Sequence, residues 1–373
     1  MKTHPALHAF LEITRQNRDN QARGMYSVCS AHPDVLEAAI LQARSDHSIV
    51  LVEATSNQVN QFGGYTGMKP DGFAAFVFEL ARRNHFPTDH LLLGGDHLGP
   101  NPWKQHSAEE AMQHAEELVH QYVKAGFRKI HLDTSMPCGT DGCAPDTPLP
   151  DEIVAARSAR LCRVAEETWR NQSDASQGPV YCIGTEVPIP GGAQKQGHHV
   201  VPTRPEQAAA TLEITEKAFR KEGLEAAWDR VVGLVVQPGV EFGDDTVHPY
   251  QAAAAETLSK HILNYANLVY EAHSTDYQPE TCLRNLVMDH FAILKVGPWL
   301  TFAYREALFA LESIEKELIK DRSRLSGLRN TLERTMLADP QYWISYYSGS
   351  ASVQRFKCGF SFSDRARYYW PHP

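Results

Sequence analysis

The sequence predicts an α/β protein, a TIM (β/α)8 barrel with a C-terminal helical and aromatic extension. Eight apolar, β-rich runs recur along the chain, helix-patterned stretches lie between them, and nearly all of the runs end in polar residues. Strands that alternate with helices imply βαβ units and parallel pairing, and eight such units close a barrel of about 250 or more residues. Because barrel chemistry takes place at the C-terminal ends of the strands, the polar residues there are the first candidates for function.

The predicted strands are, in order, Met25–Ala31, Ile49–Thr55, Leu91–His97, Lys129–Ser135, Val180–Val187, Val231–Gln237, Leu268–Asp276 and Phe291–Gly297. Pro-Asp steps, a capping-box pattern and C-terminal glycines predict helices over residues 34–44, 70–84, 111–125, 151–170 and 205–223. The connections 136–150 and 188–205 exceed the roughly 2–6 residues usual for a βα loop. We therefore expect them to be lids or binding loops.

The pattern changes after the eighth βα unit. Residues 1–320 are assigned to the barrel and residues 321–373 to the extension, which carries a helix-patterned stretch and then many Tyr, Trp and Phe residues. Segments this rich in aromatic side chains bury them. We expect the extension to pack on the barrel or on another subunit.

Composition excludes several classes of protein. The chain of 373 residues has a formal net charge of −9 and no block rich in Lys or Arg, which argues against a nucleic-acid partner. The N-terminal residues lack the apolar core of a signal peptide, and no run reaches the ~18 apolar residues of a membrane helix. Seven scattered cysteines are typical of reduced thiols, although Cys138 and Cys143 could in principle be a metal pair. The sequence predicts a cytoplasmic protein.

The strongest local motif is Gly94-Gly-Asp-His-Leu-Gly-Pro100, at the end of the third predicted strand. It presents a carboxylate, Asp96, beside an imidazole, His97. A neutral imidazole is a good zinc ligand, and a carboxylate can act as a general acid or base. The alternative is a structural histidine that caps a helix or bonds to its neighbour.

A second motif, Glu271-Ala-His273, ends the seventh predicted strand. Residues two apart lie on one face of a strand, so Glu271 and His273 are both expected to face the barrel interior. With His97, and with Glu186 after the fifth strand, they form a candidate ligand set for a divalent cation, most plausibly Zn²⁺. The alternative is that these polar residues fill the barrel as hydrogen-bonded pairs.

Further candidates suit a polyol or sugar phosphate. Asn57 and Gln61 lie in a segment dense in amide groups after the second strand, which equally fits a tight loop. Lys295 lies inside an apolar strand, where a charge is costly unless it is paired or used. It could hold a phosphate, form a Schiff base, or pair with Glu271 or Asp133, and we favour an ion pair combined with substrate contact.

Long motifs identify the sequence as a member of the GatZ/KbaZ family, the non-catalytic subunits of class II D-tagatose-1,6-bisphosphate aldolase. The resemblance extends from about residue 24 to the end. The motifs include Cys29-Ser-Ala-His-Pro33, Glu53-Ala-Thr-Ser-Asn-Gln58, Gly94-Gly-Asp-His-Leu-Gly-Pro-Asn101, Ile183-Gly-Thr-Glu-Val-Pro188, Val236-Gln-Pro-Gly-Val-Glu-Phe242, Tyr270-Glu-Ala-His-Ser-Thr-Asp-Tyr-Gln278 and Tyr368-Tyr-Trp-Pro371. Family members continue past this last motif, so we expect their terminal region to be missing from the sequence.

The resemblance implies an accessory subunit that a separate catalytic aldolase subunit needs for full activity and stability, in tagatose 6-phosphate, galactitol or N-acetylgalactosamine catabolism. It also implies that Asp96, His97 and His273 match two elements of the class II metal site, whereas Gln237 stands where a further histidine is expected. The residues that we expect to contact the substrate are Asn57, Gln61, Asp133, Gln237 and Lys295. Asp96 is then a vestigial residue or an acid–base catalyst.

A second hypothesis treats the chain as an autonomous metal-dependent aldolase or epimerase of a ketohexose or its phosphate. In it Gln237, Glu241 or Glu186 supplies the missing ligand. A sugar-phosphate kinase gains no support, because the sequence contains neither Gly-x-x-x-x-Gly-Lys-Ser/Thr nor Gly-x-Gly-x-x-Gly.

Overall fold

Residues 4–143, 148–172, 177–184 and 200–372 are described by the computed structural model, and they confirm the predicted barrel. Eight parallel strands close on themselves in the order β1-β10-β9-β6-β5-β4-β3-β2, and β7 and β8 form a separate antiparallel hairpin. The strands are β1 (Met25–Val28), β2 (Val50–Thr55), β3 (Leu91–Leu98), β4 (Lys129–Leu132), β5 (Val180–Ile183), β6 (Val231–Val236), β7 (Glu241–Phe242), β8 (Val247–His248), β9 (Val269–Ala272) and β10 (Phe291–Val296).

Each barrel strand begins within one residue of its predicted start, but several end earlier than predicted. β4 leaves the sheet after Leu132 rather than Ser135, and β9 after Ala272 rather than Asp276. The polar residues that follow leave the hydrogen-bonded ladder and form the mouth of the barrel. The predicted end of β5 and most of the connection 188–205 lie outside the described residues.

Helices pack around the barrel and build the extension, and the five predicted over residues 34–44, 70–84, 111–125, 151–170 and 205–223 are all present. The helices are α1 (Pro5–Arg18), α2 (Pro33–Ser45), α3 (Pro70–Arg83), α4 (Ala108–Lys124), α5 (Asp151–Arg170), α6 (Pro205–Lys221), α7 (Glu225–Trp228), α8 (Ala252–His261), α9 (Glu280–Met288), α10 (Pro298–Leu318), α11 (Leu328–Ala338) and α12 (Ala351–Phe360). Ser107 caps α4 through its hydroxyl, as the capping-box pattern indicates. None of the helices in the described parts of the chain has the length and apolar character that a membrane crossing requires.

The bottom of the barrel is closed by a helix that the sequence analysis did not predict. Ala6, Leu7 and Phe10 of α1 are fully buried, and they pack on an apolar layer that includes Leu51, Leu92 and other strand residues. Their three- and four-residue spacing is that of a short amphipathic helix, which is hard to see in a mostly polar N-terminus. The mouth at the opposite end is therefore the open end of the barrel.

The C-terminal extension folds back onto the barrel. Arg305 of α10 donates from Nε to Asp364 Oδ1 at 2.7 Å, and both side chains are about 1 % exposed. Tyr277, which follows β9, donates its hydroxyl proton to the carbonyl of Phe362 at 2.6 Å, and Lys357 pairs with Asp244. These contacts fix residues 357–364 against the mouth end of the barrel.

The buried Arg305–Asp364 pair should hold the extension in place. Asp364→Asn removes the buried counter-charge of Arg305, whose other acidic neighbour, Glu306, is exposed and lies 3.7 Å away, and such losses cost about 3–5 kcal/mol in the free energy of unfolding. Asn tolerates the left-handed backbone of residue 364, where φ is +39°, so the charge is the only major change. We expect urea unfolding to show this loss.

The matched control is Glu280→Gln, which removes one partner of the exposed Arg284–Glu280 pair. It should change stability by no more than about 0.5 kcal/mol. An Asp364→Asn variant as stable as the parent protein would contradict the anchoring role of the pair.

Candidate metal centre at the barrel mouth

A layer of buried charges crosses the middle of the barrel. Lys129 Nζ lies 2.8 Å from Glu53 Oε1 and 2.6 Å from Glu271 Oε2, so this lysine joins β2 to β9. Lys295 Nζ lies 2.5 Å from Glu53 Oε2, 2.9 Å from Asp96 Oδ1 and 3.5 Å from Glu271 Oε1. Gly94 makes room for this layer, because a Cβ there would lie 2.7 Å from the Glu53 side chain. Each charge is buried but paired, which is the condition for a charge to persist inside a protein.

Asp96 and His97 both reach the mouth because β3 is irregular at this point. Consecutive strand residues normally point to opposite faces, but the register with β4 shifts between Gly95 and Leu98. His97 has a φ of +49°, which is uncommon for a residue other than glycine. The bulge therefore brings two adjacent polar side chains to one side of the sheet.

Four side chains converge directly above the charged layer. Asp96, His97, His131 and His273 are buried, and each offers a ligand atom within 4.8 Å of those of the others. The three imidazole ring centroids lie 4.9, 5.0 and 5.1 Å apart. Three imidazoles on one tetrahedral zinc ion, with Zn–N bonds of about 2.0–2.1 Å, have centroids separated by about 5 Å. The arrangement fits a divalent cation.

The hydrogen bonds of the three histidines leave one nitrogen of each ring for such an ion. His97 Nδ1 lies 2.7 Å from Asp133 Oδ2, and His273 Nε2 lies 3.0 Å from Glu271 Oε1. His131 Nδ1 lies 3.0 Å from Asp96 Oδ1, so the tautomer with its proton on Nδ1 donates to this carboxylate and leaves the lone pair of the buried Nε2, which has no hydrogen-bond partner among the described residues, for a metal. Carboxylates that orient metal-binding imidazoles in this way are usual around zinc.

The electrostatics of the mouth also suit a cation. Glu53, Asp96, Asp133 and Glu271 outnumber the two lysines of the layer, so these groups carry a formal charge of −2 with neutral histidines. Burial alone would raise the pKa of Asp96, but protonated His97 and Lys295 hold it well below its ordinary value; Asp96 and Asp133 in turn raise the pKa of His97 despite its burial, so a bound cation would take the place of that proton. Burial lowers the pKa of His273 to about 4, so that this imidazole is neutral, as metal ligation requires.

The remaining residues predicted for the site are distributed over different environments. Asn57 and Lys295 line the cavity of the mouth, together with Asp96, His97 and His273. Asp133 is buried behind His97 rather than on the cavity wall, and it also accepts from Ser135. Glu271 lies in the charged layer beneath His273, where it forms ion pairs with both lysines. Its carboxylate therefore orients a ligand more directly than it offers one.

Two of the residues predicted to contact the substrate form hydrogen bonds with the backbone, and their contact with a substrate stays a prediction. The amide of Gln61 donates to the carbonyl of His114 on α4 at 2.9 Å. The Oε1 atom of Gln237 accepts the backbone N–H groups of Gly239 and Val240, at 2.8 and 2.9 Å, and so closes the turn after β6. Glu186, predicted as a metal ligand, lies outside the described residues.

His131, Lys129 and Glu53 are central to the site, yet the sequence analysis assigned none of them a role. The available signal was alternation: Lys129, His131 and Asp133 are two residues apart along β4, as Glu271 and His273 are along β9. Polar residues at every second position predict a strand face that is not apolar. His131 provides a third imidazole, so the metal centre does not depend on a ligand at position 237.

The wall of the cavity above the cluster comes partly from the C-terminal extension. Arg367 and Tyr368 line it opposite Cys29, Lys295 and Asp276. Asp276 accepts the backbone N–H groups of Gly297 and Trp299 at the start of α10, at 3.0 and 2.8 Å. The extension thus contributes to the mouth and does not merely cover the outside of the barrel.

The fold and this cluster define a (β/α)8 barrel protein with a candidate metal centre at its mouth. The family model described as "D-tagatose-1,6-bisphosphate aldolase subunit GatZ/KbaZ-like" matches residues 10–373. The chain belongs to this family. The resemblance recognised in the sequence motifs is thereby confirmed.

The chain is similar to several solved structures. A protein described as a probable tagatose 6 phosphate kinase from Sinorhizobium meliloti 1021 is 51% identical, with a TM-score of 0.84 over 94% of this chain and 84% of that one. A fructose-bisphosphate aldolase from Campylobacter jejuni is 14% identical, with a TM-score of 0.49 over 98% of this chain and 92% of that one. The YdjI aldolase from Escherichia coli K12 is 11% identical, with a TM-score of 0.47 over 95% and 93%.

Asp276 allows a test of the electrostatics at the mouth. Burial raises the pKa of the Asp276 carboxyl to about 6 from its ordinary value of 3.8. The folded protein therefore binds the carboxyl proton more tightly than the unfolded chain does. The stabilisation of the folded state by this protonated carboxyl is complete below about pH 4 and is lost as pH rises through 6. A shift of about two pH units corresponds to about 3 kcal/mol in the free energy of unfolding.

Asp276→Asn keeps an oxygen for the two backbone N–H groups and removes the charge. As pH rises from about 4 to 8, the free energy of unfolding of Asp276→Asn should therefore fall less than that of the parent protein, by up to about 3 kcal/mol. Urea unfolding at each pH measures this difference. The exposed Asp46→Asn variant is the control and should follow the parent. If Asp276→Asn also follows the parent at every pH, the carboxyl is ionised throughout and its pKa is not raised.

Proposed function

We propose that this chain is a subunit of a D-tagatose-1,6-bisphosphate aldolase that binds a divalent cation and a sugar phosphate in the mouth of its own barrel. One observation carries the proposal: three imidazoles and a carboxylate converge within 4.8 Å under an open cavity. The orphaned Nε2 of buried His131 and the formal charge of −2 favour a bound cation over a cluster of hydrogen-bonded core residues.

Zinc is the cation that the donor set favours. Imidazole nitrogens and one carboxylate oxygen are usual zinc ligands, and the ligands of Mg²⁺ or Ca²⁺ are mainly oxygen atoms. A bound zinc ion would polarise a ketose carbonyl oxygen and so stabilise the negative charge that develops when an aldol bond breaks. Lys295 and Asp96 border the same cavity, where Asp96 is held as a carboxylate, and they would orient the hydroxyl groups of the sugar.

We assign the chain an accessory role beside a separate catalytic class II aldolase subunit, in the cytoplasm. The family description, which names an aldolase subunit, supports this role. The second candidate is an autonomous metal-dependent aldolase or epimerase of a ketohexose or its phosphate. The specific observation in its favour is that one chain provides the whole ligand cluster, so that binding of the metal needs no residue from a partner.

A kinase role, suggested by the description of the S. meliloti relative, is not proposed. The sequence contains neither of the glycine-rich phosphate-binding motifs of common nucleotide-binding folds. The cavity wall is instead built around imidazole and carboxylate groups.

Metal content and activity together test the proposal. The purified chain, loaded with zinc, is assayed for cleavage of D-tagatose 1,6-bisphosphate and for epimerisation of D-tagatose 6-phosphate, alone and with a catalytic class II subunit. Cleavage that appears or rises only with the partner supports the accessory role. Zinc-dependent turnover by the chain alone would establish the autonomous enzyme in its place.

The metal centre can be tested without any activity. His97→Ala with His273→Ala removes two of three imidazoles and should abolish stoichiometric zinc, measured by elemental analysis after dialysis, because two ligands do not retain zinc. His131→Ala alone should weaken zinc binding by about tenfold or more.

Far-ultraviolet circular dichroism should show that the barrel of these variants remains folded, since the apolar layers of the core are untouched. The control is His8→Ala, which replaces an exposed histidine of α1 and should keep the parent's zinc content. Stoichiometric zinc in the double variant would refute the site.

A further inference from the structure

The C-terminal extension presents one hydroxyl group to the mouth in an unusual setting. Tyr368 lines the cavity that also contains His97, His273 and Lys295. Its oxygen accepts from Arg365 Nη1 and from Arg367 Nη2, each at 3.2 Å. Two guanidinium groups therefore serve a single phenol oxygen.

This arrangement leaves the phenol proton as the only unused hydrogen-bonding capacity of the hydroxyl. A tyrosine oxygen has two lone pairs and one proton, and the two arginines occupy both lone pairs. No hydrogen bond within the described residues uses the proton. A donor backed by two positive charges favours an anionic acceptor, because charge-assisted hydrogen bonds are the strong ones.

The position of the ring is fixed from both sides. Tyr342 stacks on it with a centroid distance of 4.7 Å and an interplanar angle of 5°, and Tyr65, which follows β2, lies 4.5 Å away at 60°. Arg367 donates to the carbonyl of Asp364 at 2.9 Å, so one guanidinium is anchored to the backbone of the extension. A side chain held in this way loses little conformational entropy when a ligand binds.

We propose that Tyr368 is a ligand-binding residue of the mouth, whose hydroxyl donates a hydrogen bond to a phosphoryl oxygen of the sugar phosphate. The inference rests on the proposed function for the identity of the ligand, and it adds a binding residue that lies on the extension rather than on the barrel strands. Arg365 and Arg367 act through the phenol and are positioning residues.

The inference has a consequence for pH. Burial raises the pKa of Tyr368, but Arg367 and Arg365 outweigh this effect and lower it below its ordinary value of 10. Once ionised, the hydroxyl cannot donate, and it repels a phosphate. Of the other groups on the wall, burial raises the pKa of Tyr65 and of Cys29, and Asp96, Glu271 and Glu53 raise that of Lys295. Tyr342, which packs on the ring, also has a raised pKa because of its burial.

The test measures the binding of glycerone phosphate to the zinc-loaded full chain by titration calorimetry. Tyr368→Phe keeps the ring and removes the donor, and it should weaken binding by about tenfold, the effect of losing one hydrogen bond to a charged group. Tyr342→Phe is the matched control, because it changes the stacking partner and leaves the cavity wall intact. It should bind within about twofold of the parent protein.

A pH series adds a measurement that a purely structural role would not affect. As pH rises through the lowered pKa of Tyr368, below its ordinary value of 10, the affinity of the parent should fall, whereas the affinity of Tyr368→Phe should not show this fall. Parent-like affinity in Tyr368→Phe, with the same pH dependence, would overturn the inference and leave the proposed function intact.

If the zinc-loaded parent does not bind glycerone phosphate, the proposed function fails. Inorganic phosphate then tests the inference separately. Weaker phosphate binding in Tyr368→Phe than in Tyr342→Phe still supports an anion-binding hydroxyl. Equal binding in the two variants, or none in the parent, overturns it.

Discussion

The buried ion pairs of Lys129 and Lys295 are the interaction on which the rest of the mouth depends. The two ammonium groups sit among three carboxylates in a region with almost no solvent, where an isolated charge would be prohibitively costly. The network joins β2, β3, β4, β9 and β10, so it ties opposite sides of the barrel together. Because Glu271 is held by both lysines, it can in turn hold His273 in a fixed orientation. An apolar layer would avoid the desolvation cost of buried charges, but it could not orient the imidazoles above it.

The barrel interior is thus organised in layers of increasing polarity. α1 closes the apolar bottom, the lysine and glutamate layer follows, and the imidazoles with Asp96 and Asp133 lie at the top. Each layer prepares the next: the apolar layer excludes water, which strengthens the ion pairs, and the ion pairs together with Asp133 give the mouth a formal charge of −2 when the histidines are neutral. A divalent cation is the counter-charge that this gradient favours. The chemistry of the mouth therefore follows from the packing below it.

The sequence was sufficient for the barrel but only partly for the site. Alternating runs and capping residues located every barrel strand, because hydrophobic periodicity and helix caps can both be recognised within short segments of sequence. The convergence of His97 and His273 could be anticipated, since both follow predicted strands. The bulge at Asp96 and His97 could not be anticipated, because it depends on how β3 meets β4. Gln61 and Gln237 show that residue type alone does not identify a ligand contact, because amide side chains near a barrel mouth form hydrogen bonds with backbone groups as readily as with ligands. His131 was overlooked although its alternation with Lys129 and Asp133 is visible in the sequence.

Because the extension completes the wall of the mouth, its aromatic residues have a role within the chain. Tyr342 and Tyr368 pack on each other and on Tyr65, so much of the aromatic density is used within the chain. The large apolar side chains that remain exposed on the described part of the extension are Leu337, Ile344, Val353 and Phe356. These residues, rather than the buried tyrosines, are the part of the extension available to a partner subunit. Since Asp364 both pairs with Arg305 and precedes the segment that carries Tyr368, docking of the extension and assembly of the cavity wall are one event.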